Sequence, residues 1–300
     1  MARKLMSNIY DCTFKTIVLD SKLKKFICTI IHEITHIPMR ELLNGVFINS
    51  TITINHISDK RRVSDIILKT AKHIINIEAN KDYYPGLFIK NNSYYQSILS
   101  NLYETSEDYL KVLTAIQINI DNFSLSNVYP CKKISKYVLK EETDNTEFIE
   151  NDVIKYYVDL VTLEKISREN QFNNLSILDK YLLIFKLRKL SEIKKLVGDD
   201  KTMKKVVEKI ENMNKDKKLI GVYDKEKQDR MILNTRLTGA RMEGYAKGEK
   251  SGYVKGEKSG YEMGLLESAK NLLKNNIDID IISKVTGLSK KKIKSLDIRS

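Results

Sequence analysis

The sequence predicts an α/β core followed by an all-α C-terminal region, and three observations carry that reading. Residues 61–69 and 72–80 read as two successive strands whose pairing places apolar residues together on one face, as a hairpin against a core requires. Helical spacing brackets this hairpin, in residues 23–35 before it and residues 93–103 after it. From about residue 175 onward the periodicity is helical throughout.

Taken in order, Leu23, Phe26, Ile27, Ile30, Ile31 and Ile34 share one helical face, and residues 39–46 continue as a short helix. Residues 51–56 read as a strand candidate ahead of the hairpin. In the hairpin, residues 61–69 pair with residues 72–80, with Thr70 to His73 as the turn. That register sets Ile66 against Ile77 and Leu68 against Ile75 on an apolar face suited to a core. The opposite face carries Asp65 against Glu78, Ile67 against Asn76 and Val63 against Asn80. Residues 112–120 read as a buried strand and residues 153–160 as another, which completes the α/β core within residues 1–165.

Residues 166–240 form a helical region with candidate helices at 178–190, 202–213 and 224–238. A repeat of period eight follows in residues 241–268, where Gly244-Tyr245, Gly252-Tyr253 and Gly260-Tyr261 recur and glycine returns at every fourth position. This spacing gives a helical face of bare backbone or a pliable connector, and each glycine costs a helix about 0.5–1 kcal/mol relative to alanine. Such a helix offers a route to homo-oligomers. Residues 269–300 resemble a helix-turn-helix: an amphipathic helix, a second in residues 277–285, a turn at Gly287, a Ser289 N-cap and a lysine-rich last helix. Lys290, Lys291, Lys292 and Lys294 stand where phosphate contacts fall in such motifs, though a solvated cap helix explains them equally well.

A net charge of +13 fits a polyanionic partner such as nucleic acid, although a general richness in Ile, Asn and Lys supplies part of it. Cys12, Cys28 and Cys131 lack disulfide or zinc spacing and suit a reducing cytoplasm. The N-terminus lacks the apolar stretch of a secretion signal, and no run is apolar enough to span a membrane. The expectation is a soluble, cytoplasmic protein.

The chemistry concentrates at the hairpin. Directly opposed like charges destabilise a sheet by some tenths of a kcal/mol unless a cation lies between them. Asp65 and Glu78 therefore read as ligands of a divalent ion, with the Ala79 carbonyl as a neutral third. Asn80 shares their face and can orient a water or a phosphate oxygen, but it cannot serve as a base or carry positive charge. Lys69 lies about 13 Å from Asp65 at strand rise, a distance suited to a neighbouring phosphate. His32-Glu33-Ile34-Thr35-His36 matches the H-E-x-x-H zinc pattern, but Pro38 ends the helix at once and a third ligand is missing. Tyr83, Tyr84, Tyr94, Tyr95 and Tyr103 cluster after the hairpin, at a spacing that favours packing over base stacking.

Tyr10-Asp11-Cys12-Thr13-Phe14-Lys15 resembles the D-x-x-F-K opening of the PD-(D/E)XK nuclease family transposases, the recombination-promoting nucleases. Asp65, followed by Glu78-Ala79-Asn80, resembles that family's D-x(12)-E-x-Q motif. Residues 112–121, the glycine tract and Val285-Thr286-Gly287-Leu288-Ser289 are also similar to the family. The resemblance implies a restriction-endonuclease-like core, a mixed sheet flanked by helices, that cleaves double-stranded DNA with Mg²⁺ or Mn²⁺. It implies Asp65 and Glu78 as metal ligands and Asp11 as the acidic residue of the first helix that completes the shell. Asn80 stands where the wider superfamily has Lys and this family commonly has Gln. That departure leaves two readings: an active endonuclease linked to recombination or mobility, or a relic that binds DNA without turnover.

Overall fold

The computed structural model describes residues 4–48, 66–105, 113–124, 132–148 and 153–296. The chain forms two units, Met1–Glu226 and Lys227–Ser300.

In the first unit, helices α1 (Asp11–Val18), α2 (Lys24–Thr35) and α3 (Met39–Asn44) lead into an edge strand, β1 (Val46–Ile48). The hairpin follows as β2 (Ile66–Lys69) and β3 (His73–Asn80). Helix α4 (Leu87–Thr105) then crosses to β4 (Thr114–Asp121), and β5 (Ile134–Tyr137) and β6 (Ile154–Asp159) complete a six-stranded sheet of order β1-β2-β3-β4-β6-β5. Strands β3, β4 and β6 run parallel, while β1, β2 and β5 are antiparallel to their neighbours. Helices α5 (Leu160–Glu169), α6 (Ile177–Lys186), α7 (Leu190–Val197) and α8 (Lys201–Met213) follow.

The expected register holds where it is described: Ile66 pairs with Ile77, Ile67 with Asn76 and Leu68 with Ile75. Thr70 N–H donates to the His73 carbonyl at 2.8 Å and closes the turn. Glu41 of α3 braces that turn by accepting from Thr70 Oγ1 at 2.6 Å and meeting His73 Nδ1 at 2.7 Å. Burial pushes the Glu41 carboxyl up, but the Thr70 and His73 hydrogen bonds, with the His73 charge, bring it below its usual range. Asp65 and the strand expected at residues 51–56 lie outside the described residues.

One face of the sheet is apolar. Ile66, Leu68, Ile75, Ile77, Ile116, Ile118 and Ile120 pack with Phe14, Phe26, Ile31 and, from the later helices, Leu182, Phe185 and Val206. This single cluster extends to Tyr223, so the helices beyond residue 165 complete the core of the first unit; the helical region expected at 166–240 does not stand apart. The opposite face is covered by α4, whose Tyr95, Ile98 and Leu99 pack on Ile67, Ile74 and Ala115.

Some elements differ from expectation for local reasons. The helix expected at 39–46 stops at Asn44 because Gly45 N–H turns back to the Glu41 and Leu42 carbonyls and the chain enters β1. A Cβ on Gly45 would lie 2.9 Å from the Lys69 carbonyl, so β1 approaches β2 through a residue without a side chain. The helix expected at 178–190 is two: α6 begins after a Ser176–Asp179 capping box and ends at Lys186, with Leu187 as an extended C-cap, and α7 begins at Leu190.

Helix α9 (Lys217–Lys274) is continuous through every glycine of the repeat. The expectation of one bare face is corrected by simple geometry. At 100° per residue, a spacing of four advances about 40° each time, so the glycines from 244 to 264 wind about 200° around the helix. In the second unit, Ala269, Ile282 and Ile293 form a small core joining the end of α9 to α10 (Ile279–Thr286) and α11 (Lys290–Lys294). Gly287 has φ +72° in the intervening turn, and Ser289 Oγ accepts from Lys292 N–H at 3.3 Å, as the expected turn and N-cap require. Among the described residues no helix is long and apolar enough to cross a membrane.

Candidate functional site

Alternation along β3 sends Ile75, Ile77 and Ala79 toward the apolar core and Asn76, Glu78 and Asn80 to the face beneath α4. The same alternation along β4 sends Gln117, Asn119 and Asp121 to that face. Parallel pairing aligns them: Asn76 with Gln117, Glu78 with Asn119 and Asn80 with Asp121. The next strand adds Asp159 beside Asp121. The result is a buried polar layer in which Glu78 is 1% exposed.

Hydrogen bonds fix the orientation of each amide. Asn119 Nδ2 donates to the Tyr156 carbonyl at 3.2 Å, so its oxygen faces Asn91 of α4, whose Nδ2 donates to it at 3.0 Å. Gln117 Nε2 donates to the Asn91 carbonyl at 3.1 Å. Asn76 Nδ2 donates to Glu78 Oε1 at 3.2 Å, and Asn80 Nδ2 donates to Asp121 Oδ1 at 2.8 Å. Because carboxylates and carbonyls only accept, each amide must turn its nitrogen toward them. Asn76 Oδ1, Asn91 Oδ1 and Asp121 Oδ2 are left buried without a partner. Burial pushes the Asp121 carboxyl up to about 7; the Asn80 hydrogen bond opposes this and the Asp159 charge reinforces it.

The expected site residues fall as follows. Glu78 and Asn80 share the polar face, Ala79 packs against the apolar core, and Asp65 is outside the described residues. Asp11 opens α1, a helix whose Phe14, Ile17 and Val18 pack into the core on the side of the sheet away from Glu78. Its side chain is 53% exposed and ion-paired with Lys15 at 2.7 Å. Among the described residues, no three His, Cys, Asp or Glu side chains are grouped for a metal ion. Lys81 follows Asn80, but its ammonium lies 4.1 Å over the Tyr10 ring on the apolar side and hydrogen-bonds the Tyr10 hydroxyl. Asp121 was missed in the sequence, although strict Ile–polar alternation in Ile116-Gln117-Ile118-Asn119-Ile120-Asp121 marks a strand with one polar face.

The zinc pattern has no helical support. Helix α2 ends at Thr35, and His36 is the exposed cap residue at φ 62°, so the two histidines do not stand one turn apart on a helix. His32 Nδ1 lies 2.7 Å from the Ile37 carbonyl. The tyrosines divide: Tyr95 is buried with its hydroxyl on the Ala115 carbonyl, whereas Tyr83 and Tyr84 are exposed. The two described cysteines suit packing rather than chemistry, since burial pushes the Cys28 thiol up to about 11 and the Cys12 thiol up to about 12.

No curated protein matches the chain. A family model described as PD-(D/E)XK nuclease family transposase matches residues 8–236, a span that takes in the whole sheet and the polar layer on β3 and β4. With a mixed six-stranded sheet flanked by helices and a Glu-x-Asn on its third strand, the chain belongs to the PD-(D/E)XK nuclease family transposases.

Proposed function

We propose that the protein is a metal-dependent DNA endonuclease, with Glu78 as the central ligand, and that it acts in recombination or transposon-like mobility. The observation that carries this reading is the buried Glu78 carboxylate within a layer of oxygen donors that includes the unpartnered Asp121 Oδ2. That donor chemistry fits a hard ion such as Mg²⁺ or Mn²⁺. Asp65 and the Ala79 carbonyl complete the proposed set; Asp11, expected from the resemblance to join it, is instead ion-paired with Lys15 on the helix packed against the other side of the sheet. The bound ion would polarise the phosphate and lower the pKa of a water. Asn76 steadies Glu78 by donating to it, and Asn80 orients a water or phosphate oxygen through its carbonyl. Lys290, Lys291, Lys292 and Lys294 supply phosphate contacts from the second unit.

A DNA-binding relic is the second reading, supported by the Asn80 amide, which is uncharged and already engaged by Asp121. Plasmid nicking with Mg²⁺ separates the two. Nicking by wild type that vanishes in Glu78→Ala and Asp65→Ala, with DNA retention unchanged, supports the enzyme. DNA retention without nicking by wild type supports the relic.

A further inference from the structure

The face that carries Glu78 and Asn80 also carries an aromatic cluster that the hydrolytic chemistry leaves unused. Glu78, Asn119 and Tyr157 are successive partners across β3, β4 and β6. The Tyr157 backbone therefore stands two strand spacings, about 10 Å, from Glu78. Its ring meets Phe88 of α4 at 5.5 Å between centroids and Tyr137 of β5 at 5.4 Å. Phe88 also meets Phe123, just past β4, at 6.5 Å, and Tyr83, just past β3, touches Phe123 at 5.6 Å and Phe88 at 5.9 Å. Tyr83 is 55% exposed, and its neighbour Tyr84 and Ile89 of α4 are exposed as well. The cluster thus ends in a tyrosine that is more than half exposed, beside the carboxyl ends of the strands that hold the site.

We propose that this cluster, with Tyr83 as its open edge, is a stacking platform for an unpaired base of the DNA strand that occupies the site. The proposal rests on the endonuclease reading. The occupant follows from chemistry and charge. Base stacking on aromatic rings needs a free base face, which an intact duplex covers with neighbouring bases. Cations stand on the same helix and strand as Phe88 and Tyr157, Lys90 of α4 over the Tyr94 ring and Lys155 of β6 over the Tyr95 ring, each at 5.0 Å, and the chain as a whole carries the +13 that a phosphate backbone attracts. The inference is a preference for gapped, frayed or single-stranded DNA over blunt duplex.

The test uses the full chain in EDTA, so that binding is read without cleavage. The probes are a blunt duplex and the same duplex with a one-nucleotide gap, with 2-aminopurine opposite the gap. Wild type is expected to bind the gapped probe about tenfold more tightly and to quench its fluorescence. Tyr83→Ala should lose both effects and Tyr83→Trp should keep them, with thermal melting confirming that each variant folds. Equal affinity for the two probes, or a preference that survives Tyr83→Ala, overturns the platform. A dimer of the chain that Tyr83→Ala dissociates overturns it in favour of self-association. Mg²⁺-dependent nicking of supercoiled plasmid is read separately, so an active enzyme without gap preference defeats only the platform.

Discussion

Asn80 Nδ2 donates a 2.8 Å hydrogen bond to Asp121 Oδ1, and the two residues are direct partners across parallel strands β3 and β4. The pairing turns the amide carbonyl of Asn80 away from Asp121 and makes an acidic side chain the immediate neighbour of the Glu-x-Asn position. A carboxylate with a second, unpartnered oxygen is the environment a cation at residue 80 would find.

Asn80→Lys should therefore be accepted. An ammonium at position 80 would meet the buried Asp121 carboxylate and leave a charged donor at the site. Thermal melting should show no loss of stability. Nicking should rise toward the ~100-fold that one preorganised donor contributes. A lower melting temperature would mean that the carboxylate cannot hold an ammonium there.

Asp121 itself should impose a pH dependence. Its carboxyl is raised from 3.8 to about 7, so the folded chain holds the proton where the unfolded chain has released it. The contribution of this group to stability therefore falls as pH rises through that interval and is lowest above it. Asp121→Asn keeps an acceptor for Asn80 and removes the charge. Its melting temperature relative to wild type should climb from pH 3.8 to 7 by a few degrees, measured by calorimetry across buffers. A constant difference across the interval would contradict the assignment.

Glu41→Gln should loosen the turn between β2 and β3. The Glu41 carboxylate holds both Thr70 and His73, and weakening those charge-assisted bonds should cost about 1–2 kcal/mol in urea unfolding. Because the carboxyl is held below its usual value, its contribution is present above 4.5 and is lost as pH falls through the lowered folded value. The deficit of the variant should shrink in acid.

Two glycine-to-alanine changes should have opposite signs. Gly45→Ala pushes a methyl against the Lys69 carbonyl and should cost about 1–3 kcal/mol. Gly248→Ala meets nothing within 4 Å and should stabilise its helix by about 0.5–1 kcal/mol. Circular dichroism during thermal unfolding would read both.

If the terminal lysines contact phosphate, replacing Lys290, Lys291 and Lys292 with Gln should flatten the salt dependence of DNA binding. Three lost contacts reduce the slope of log affinity against log salt by about 2.7. An unchanged slope would assign those lysines to solvent; Lys290 already pairs with Asp280 at 2.5 Å.

The hairpin was legible because one register of the two adjacent segments brings Ile66, Leu68, Ile75 and Ile77 onto a single face, and a one-residue slip would expose all four together. Glu78 and Asn80 followed from that register. Strands β1 and β5 were not legible, since Val46-Phe47-Ile48 and Ile134-Ser135-Lys136-Tyr137 are too short to show a period. The continuity of α9 was hidden by glycines, whose low helix propensity reads as a break in any local window. The Asp121 contact was hidden for another reason: it joins residues 41 positions apart, across a crossover whose register no local pattern specifies.

The winding of the glycines in α9 has a geometric outcome of its own. A repeat longer than the helical period steers any strand or helix following it into a right-handed coil, the opposite sense to a leucine zipper. A companion that tracked the whole tract would have to wrap half a turn about the axis within 21 residues, from Gly244 to Gly264. A straight companion can nestle against only two or three glycines at a time. The tract is thus a series of short, staggered landing places, each offset in direction from the last.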